Sequence, residues 1–168
     1  MYFLVFVDIG SRRIWISPCT ANPTGQWTAP QARNFDIYLQ DQNLPCTILQ
    51  RYQITKYTTA FDEVFTAAAR SIKKTPPLSP NLQAFVERVI QTLKHDVLNA
   101  FCIASDAHLD HLLKVGQDCY NHRHSHSGRD YLTPIRGDDP PIIVDFAKDN
   151  IVCHRELGGH LNLYQRAA

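Results

Sequence analysis

Three groups of residues in this sequence have the types and spacing to do chemistry. The run "CYNHRHSHSG" sets His122, His124 and His126 at alternate positions close behind Cys119. That suggests zinc, yet alternate spacing suits neither the Cys pairs two apart nor the helical His pairs of common zinc sites. Adventitious Ni²⁺ or Zn²⁺ affinity is the reading that remains, and Cys119 with His122 as nucleophile and base rests on proximity alone. A second group centres on Glu87, which lies with Gln83, Gln91 and Lys94 on the side of a helical stretch away from its apolar stripe. The third is Arg51-Tyr52-Gln53-Ile54, at the end of an apolar strand, where α/β enzymes commonly keep polar machinery. Two large non-ionising side chains, Tyr52 and Ile54, stand where an acid would be usual. The nearest acids, Asp62 and Glu63, follow on a helix whose Phe61, Val64 and Phe65 face the core, and read as exposed helix charges. Arg70, Lys73 and Lys74, with Arg88 and Lys94, read evenly as ordinary solvated charge or as phosphate contacts along a nucleic-acid path.

The elements that must position these groups follow from periodicity. "YFLVFVDI" is nearly all apolar, as a strand buried on both faces is, and "GSRR" turns the chain into the alternating "IWISPCTA". Thr28 reads as an N-cap with Pro30 early in the first turn of a helix. "LPCTILQRY" reads as a third strand, "TTAFDEVFTAAARS" as a helix and "IKKT" as a short strand. After the Pro-rich "PPLSPN" (76–81), a long helix covers "LQAFVERVIQTLKHDVLNAF", with Phe85, Val89, Leu93 and Val97 on one stripe. A further helix, N-capped by Ser105, covers "SDAHLDHLLKVGQDCYNHR". An irregular tail with Pro140 and Pro141 ends in the short strand "NIVCH" and "GGHLNLYQRAA". The order β-β-α-β-α-β-α-α predicts an α/β domain with one mixed sheet over 1–135 and an irregular tail over 136–168.

Composition bounds the function. A chain of 168 residues with 44% hydrophobic and 20% charged residues is one soluble, globular domain rather than a disordered segment. A formal net charge of +1 excludes a strong long-range pull on DNA or anionic membrane, so nucleic-acid binding must come from local basic faces. The apolar start "MYFLVFVDIG" is interrupted by Asp8, too early for a membrane span, and has no basic leader. Five cysteines without a C-x-x-C pair predict reduced thiols and a cytoplasmic location.

Three segments, in order, resemble integrase-type transposases. "FVDIGSRRIWISPCTANPTGQWTAPQARNF" is similar to their second and third strands and first helix. "TPPLSPNLQAFVERVIQTLKHD" resembles the segment around their catalytic glutamate, and "HLDHLLKVGQDCYNHRHSHSG" their terminal helix and Tyr-Asn…His…Gly turn. The resemblance implies the ribonuclease-H-like fold and a protein of DNA integration or transposition. It also implies two Asp and one Glu that hold two divalent metals, normally Mg²⁺ (or Mn²⁺), for phosphoryl transfer on DNA. Two cations clamp the attacking and leaving oxygens of an in-line displacement, and hard carboxylate oxygens suit them.

Carried over by position, Glu87 in "AFVER" stands at the catalytic Glu. The family's Arg-Asp-x-Asp-Thr-Lys-Phe/Tyr becomes Arg51-Tyr52-Gln53-Ile54-Thr55-Lys56-Tyr57, so Tyr52 stands at the second catalytic Asp. A Tyr hydroxyl titrates near pH 10 and cannot replace a hard anionic ligand at neutral pH. The first acid falls upstream of the chain, and Asp8 is one strand too late. With one acid of three, the chain is expected to be a truncated, catalytically inactive member that binds no metal productively. The alternative is a non-catalytic DNA-binding or subunit-binding module. Without the central first strand, a gap of roughly 10 Å between "YFLVFVDI" and "TILQRY" is expected, two strand spacings wide. Such open edges favour marginal stability and a homo-oligomer or association with a full-length relative.

Overall fold

Apolar spacing of three and four, and caps at the right places, set most of the elements seen in the computed structural model, which describes residues 1–76, 84–135 and 151–166. They run β1 (Val5–Val7), β2 (Ile14–Ile16), α1 (Gly25–Asp41), β3 (Ile48–Tyr52), α2 (Thr59–Ala67), β4 (Ser71–Thr75), α3 (Ala84–Asp96), α4 (Asp106–His122), β5 (Ile151–Glu156) and β6 (Leu161–Arg166). The mixed α/β class and the element order follow the sequence reading. In place of one mixed sheet, the described strands form three two-stranded sheets, β1–β2, β3–β4 and β5–β6. The loop centred on 77–81, Leu82 and Gln83, and Pro140 and Pro141 lie outside the described residues. No described helix is long and apolar enough to cross a membrane.

Backbone contacts divide the chain into two compact units, Met1–Val5 with Ser17–Ala84, and Phe6–Ile16 with Phe85–Ala168. In the first, α1 starts earlier than Thr28. The Thr24 hydroxyl accepts from the Trp27 amide at 3.3 Å, closing the first turn at Gly25. Thr28 is instead inside the helix and 1% exposed, and its hydroxyl donates to the carbonyls of Gly25 (3.1 Å) and Lys56 (2.8 Å). Pro30 is correspondingly deeper in the helix. At Gly25 a Cβ would lie 2.2 Å from Thr58 Cγ2, so only glycine allows α1 to start this close to the cap of α2. Phe61 and Phe65, four apart on α2, are fully buried and pack ring to ring at 5.3 Å, with Phe35 of α1 at 6.3 Å from Phe65. β3 and β4 pair in parallel, from Ile48↔Ser71 to Tyr52↔Thr75, across the α2 crossover.

In the second unit, the turn from β1 to β2 is closed by the Asp8 amide on the Arg13 carbonyl and the Arg12 amide on the Asp8 carbonyl, both 2.8 Å. Helix α3 buries Val89 and Leu93, but Phe85 does not share their environment. It is 43% exposed, and the Arg12 guanidinium lies 3.9 Å from its ring centroid. The helix also stops at Asp96 rather than running on. Val97 leaves helical geometry at φ −128°, keeping its side chain buried while a 3-10 turn, Leu98–Ala100, redirects the chain. Ser105 caps α4 as expected, its hydroxyl accepting from the His108 amide at 3.1 Å. Gly116 lets α4 approach α3, since a Cβ there would meet Leu93 and Val97 at 3.3 Å.

Two amides on the buried side of α4 do the work of a strand. Asn121 Oδ1 accepts from the Ile14 amide and its Nδ2 donates to the Ile14 carbonyl, both at 2.8 Å. Gln117 Oε1 accepts from the Ile16 amide at 2.6 Å. The edge of β2 is thereby satisfied by side chains, which is why the β1–β2 sheet ends there. Farther along, β5 and β6 pair antiparallel with Cys153 opposite Tyr164, adding a strand to the one read at "NIVCH". Gly158 (φ 68°) and Gly159 (φ 90°) supply the left-handed turn between them.

Candidate functional site

Tyr52 is the last residue of β3, half-buried, and Ile54 is exposed just beyond. Next to them the structure places an ion cluster that sequence periodicity had not shown. Arg51 is 7% exposed and grips Asp62 with two parallel bonds, Nε to Oδ1 at 2.8 Å and Nη2 to Oδ2 at 2.6 Å. Its remaining Nη1 donates to the Tyr52 carbonyl at 2.9 Å, and Lys74 Nζ lies 3.3 Å from Asp62 Oδ2. Asp62 is therefore not the exposed helix charge that its position suggested. Burial pushes its carboxyl up, but hydrogen bonds and charge from Arg51, then Lys74, outweigh this and hold it below the ordinary carboxylate value. Beside the cluster, burial raises the Tyr57 phenol, with Arg51 opposing.

Glu87 occupies the first turn of α3 and is exposed, where the helix dipole favours a negative charge. Arg88 and Lys94 are exposed on the same helix. Among the basic residues near β4, Arg70 is paired with Asp36 in a mostly buried ion pair, and Lys74 serves Asp62. Lys73 is exposed and, being next to Lys74 on a strand, points to the opposite face.

The donors that would hold a metal pair do not fit one in the described residues. Tyr52 and Ile54 bring no carboxylate, and both oxygens of Asp62 are taken by Arg51 and Lys74. No group of three or more His, Cys, Asp or Glu among the described residues is arranged to hold a metal ion. Cys119 is half-buried, its thiol raised chiefly by burial, against Arg123. His122 pairs with Asp118 at 3.1 Å, while the rings of His124 and His126 turn to Tyr120, at 5.3 and 5.0 Å. The histidine run is thus split between two partners rather than focused on one point.

The chain has an α/β fold of the ribonuclease-H-like type. The structure is similar to the catalytic core domain of BIV integrase, with 19% identity over 79% of this chain and 81% of that one, at a TM-score of 0.57. It is also similar to a chain of the simian T-cell lymphotropic virus intasome in complex with PP2A regulatory subunit B56 gamma. That match has a TM-score of 0.63 and 18% identity, covering 99% of this chain, which spans 60% of the matched one. No curated protein sequence matches the chain. Residues 70–134, which include Glu87, match the integrase core domain family. The sequence match is to those residues, and for the chain as a whole it is the fold that is similar to integrase catalytic cores.

Proposed function

We propose that this chain is a non-catalytic relative of DNA integration and transposition enzymes, which retains the fold and contacts DNA without cutting it. The observation that carries this reading is the end of β3. Tyr52 stands there, and Asp62, bound to the neighbouring Arg51, is neutralised by Arg51 and Lys74. The family's reaction is divalent-metal-dependent, and metal ions need hard anionic oxygens that are free to turn towards them. In this reading Glu87 is the one family acid whose position keeps a carboxylate in the described residues. Because Arg70 and Lys74 already serve Asp36 and Asp62, we assign phosphate contacts first to the exposed Lys73, Arg88 and Lys94.

Strand cleavage and joining on supercoiled DNA, with Mg²⁺ or Mn²⁺, tests the reading. The wild-type chain, Tyr52→Asp and Glu87→Gln are compared. Wild type and Glu87→Gln are expected to be equally inactive. Wild-type product that disappears in Glu87→Gln overturns the inactive reading.

A second reading, a subunit-binding module, has one observation behind it. β3–β4 is a two-stranded parallel sheet, and parallel sheets are ordinarily wider. A further strand, from a second copy or from a longer relative, would extend it by strand addition. Light scattering across a concentration series, alone and mixed with such a relative, tests this. A mass that stays monomeric in both removes it.

A further inference from the structure

Five of the six half-buried or buried arginines among the described residues fall into two kinds. Arg51, Arg70 and Arg123 each meet a carboxylate: Asp62, Asp36 and Glu156. Arg12 and Arg129 meet none among the described residues. Arg12 donates through Nη1 to the Ile9 carbonyl and lies over the Phe85 ring. Arg129 donates through Nη1 to the carbonyls of Ser11 (2.5 Å), Thr133 (3.0 Å) and Pro134 (3.3 Å). Backbone carbonyls fix a guanidinium in place without cancelling its charge. The Ser11 contact also ties the turn between β1 and β2 to the turn after α4, so the two cations are held together.

Histidines complete the group. His124 stacks on Tyr120, and His126 packs against both rings, its centroid 4.9 Å from that of His124. His126 Nε2 is sealed from solvent with no hydrogen-bond partner among the described residues. Burial first, then His124, Arg12 and Arg129, lower its proton affinity, and no acid is among the groups that act on it. The acids of the two turns are placed otherwise. Asp8 folds back on its own turn, accepting from the Gly10 amide (2.9 Å) and the Ser11 hydroxyl (2.7 Å), and Asp130 is exposed at the end of the turn. Arg12 (φ 65°), Asp130 (φ 52°) and Tyr131 (φ 60°) all sit in the left-handed region, which Arg and Tyr rarely adopt, and Tyr131 is 75% exposed. Such strain recurs where a turn is shaped for a ligand.

We propose that the turn around Arg12 and the turn from His124 to Tyr131 form a phosphate-binding patch for the DNA backbone, with Arg12, Arg129 and His124 as its contacts. It rests on the DNA-binding reading above and adds a site to it, on residues other than Lys73, Arg88 and Lys94. An arriving phosphodiester supplies the negative charge the cluster lacks, and it therefore raises the proton affinity of His126 behind the contacts. The groups that act on that ring are Tyr120 from α4 and His124 from its own turn, in ring contact, with Arg12 from the β1–β2 turn and Arg129 acting through charge.

Two measurements on the full chain separate this proposal from the reading under it. Duplex-oligonucleotide binding is followed by fluorescence anisotropy against salt for wild type, Arg12→Gln, Arg12→Lys and Arg33→Gln, the last an exposed arginine on α1 as a control of net charge. Arg12→Gln is expected to lower the slope of log affinity against log salt by about one, and Arg12→Lys to keep it. In parallel, His126 is titrated by NMR with and without inorganic phosphate. Phosphate is expected to raise its midpoint by about half a pH unit in wild type and not in Arg12→Gln.

Wild-type DNA binding with Arg12→Gln no different from Arg33→Gln overturns the patch and leaves the DNA reading standing. No DNA binding at all, with His126 still responding to inorganic phosphate, overturns the DNA occupant and reassigns the patch to free phosphate. A His126 titration that phosphate does not move overturns the patch whatever DNA does.

Discussion

Arg51 beside β3 and Arg129 after α4 are the same side chain under opposite accounting of charge. Arg51 is fully matched: a bidentate carboxylate, a carbonyl, and an acid shared with Lys74. Arg129 is held as firmly, but by three carbonyls, each a dipole rather than an anion. Matched charge closes a region and makes it structural. Fixed but unmatched charge leaves a field that something outside the chain can answer. The comparison teaches that exposure alone is a poor guide to which cations act, because Lys74 is exposed and engaged while Arg129 is half-buried and still electrostatically open.

The sharpest way to break this comparison is to unmatch the closed region. Arg51→Met leaves the largely buried Asp62 with the exposed Lys74 as its remaining cation and is expected to cost about 3 kcal/mol, read as a lower urea midpoint. Adding Asp62→Leu should recover much of it, because an apolar pair replaces an ionic one. If Arg51→Met costs no more than an ordinary surface change, the cluster is not structural and Asp62 is freer than the geometry says.

The equivalent cut in the other region is Asn121→Ala. It removes both bonds to Ile14 and leaves a buried amide and carbonyl unmet, for a cost of about 2–3 kcal/mol by the same measurement. Smaller again is Gly25→Ala, which forces a Cβ into Thr58 and is expected to cost about 1–2 kcal/mol. Thr58→Ser removes the methyl in the way, so the pair Gly25→Ala/Thr58→Ser should return close to wild-type stability, and failure to do so would locate the strain elsewhere.

The gentlest probe is pH, and here the two regions separate cleanly. His126 has a lowered folded pKa, so its contribution is intact above the unfolded value of 6.5 and is lost as pH falls below that through the folded value. Asp62 is also lowered, but from 3.8, so its contribution survives down to that pH and fades only in stronger acid. Melting temperature should therefore fall in two stages, and His126→Gln should flatten the first stage only. A single acid stage that His126→Gln leaves unchanged would remove the histidine from the account.

How much of this the sequence showed depended on the range of the interaction. Local signals worked: Ser105 capped its helix, the three-four spacing of Phe61 and Phe65 found the core, and the end of β3 fell at Tyr52. Thr28 failed because Thr24 offered an earlier cap and the hydroxyl of Thr28 had a better partner in the distant Lys56 carbonyl. The strand at Leu161–Arg166 had a signal, two glycines between alternating runs, but it followed a Pro-rich tail that reads as irregular. Arg51 with Asp62 and Arg129 with Ser11 join residues across turns whose path no periodicity encodes, which is why both charge clusters had to be seen in three dimensions.

Asn121 carries a consequence beyond its own two bonds. A primary carboxamide is a peptide group detached from any chain, with the same donor and acceptor held in one plane. Aspartate would have the shape without the donor, and glutamine the chemistry one methylene too long. The position is therefore selective for one amino acid for reasons of stereochemistry alone, and a β-strand here finds its last neighbour in two side chains of a helix, Asn121 and Gln117.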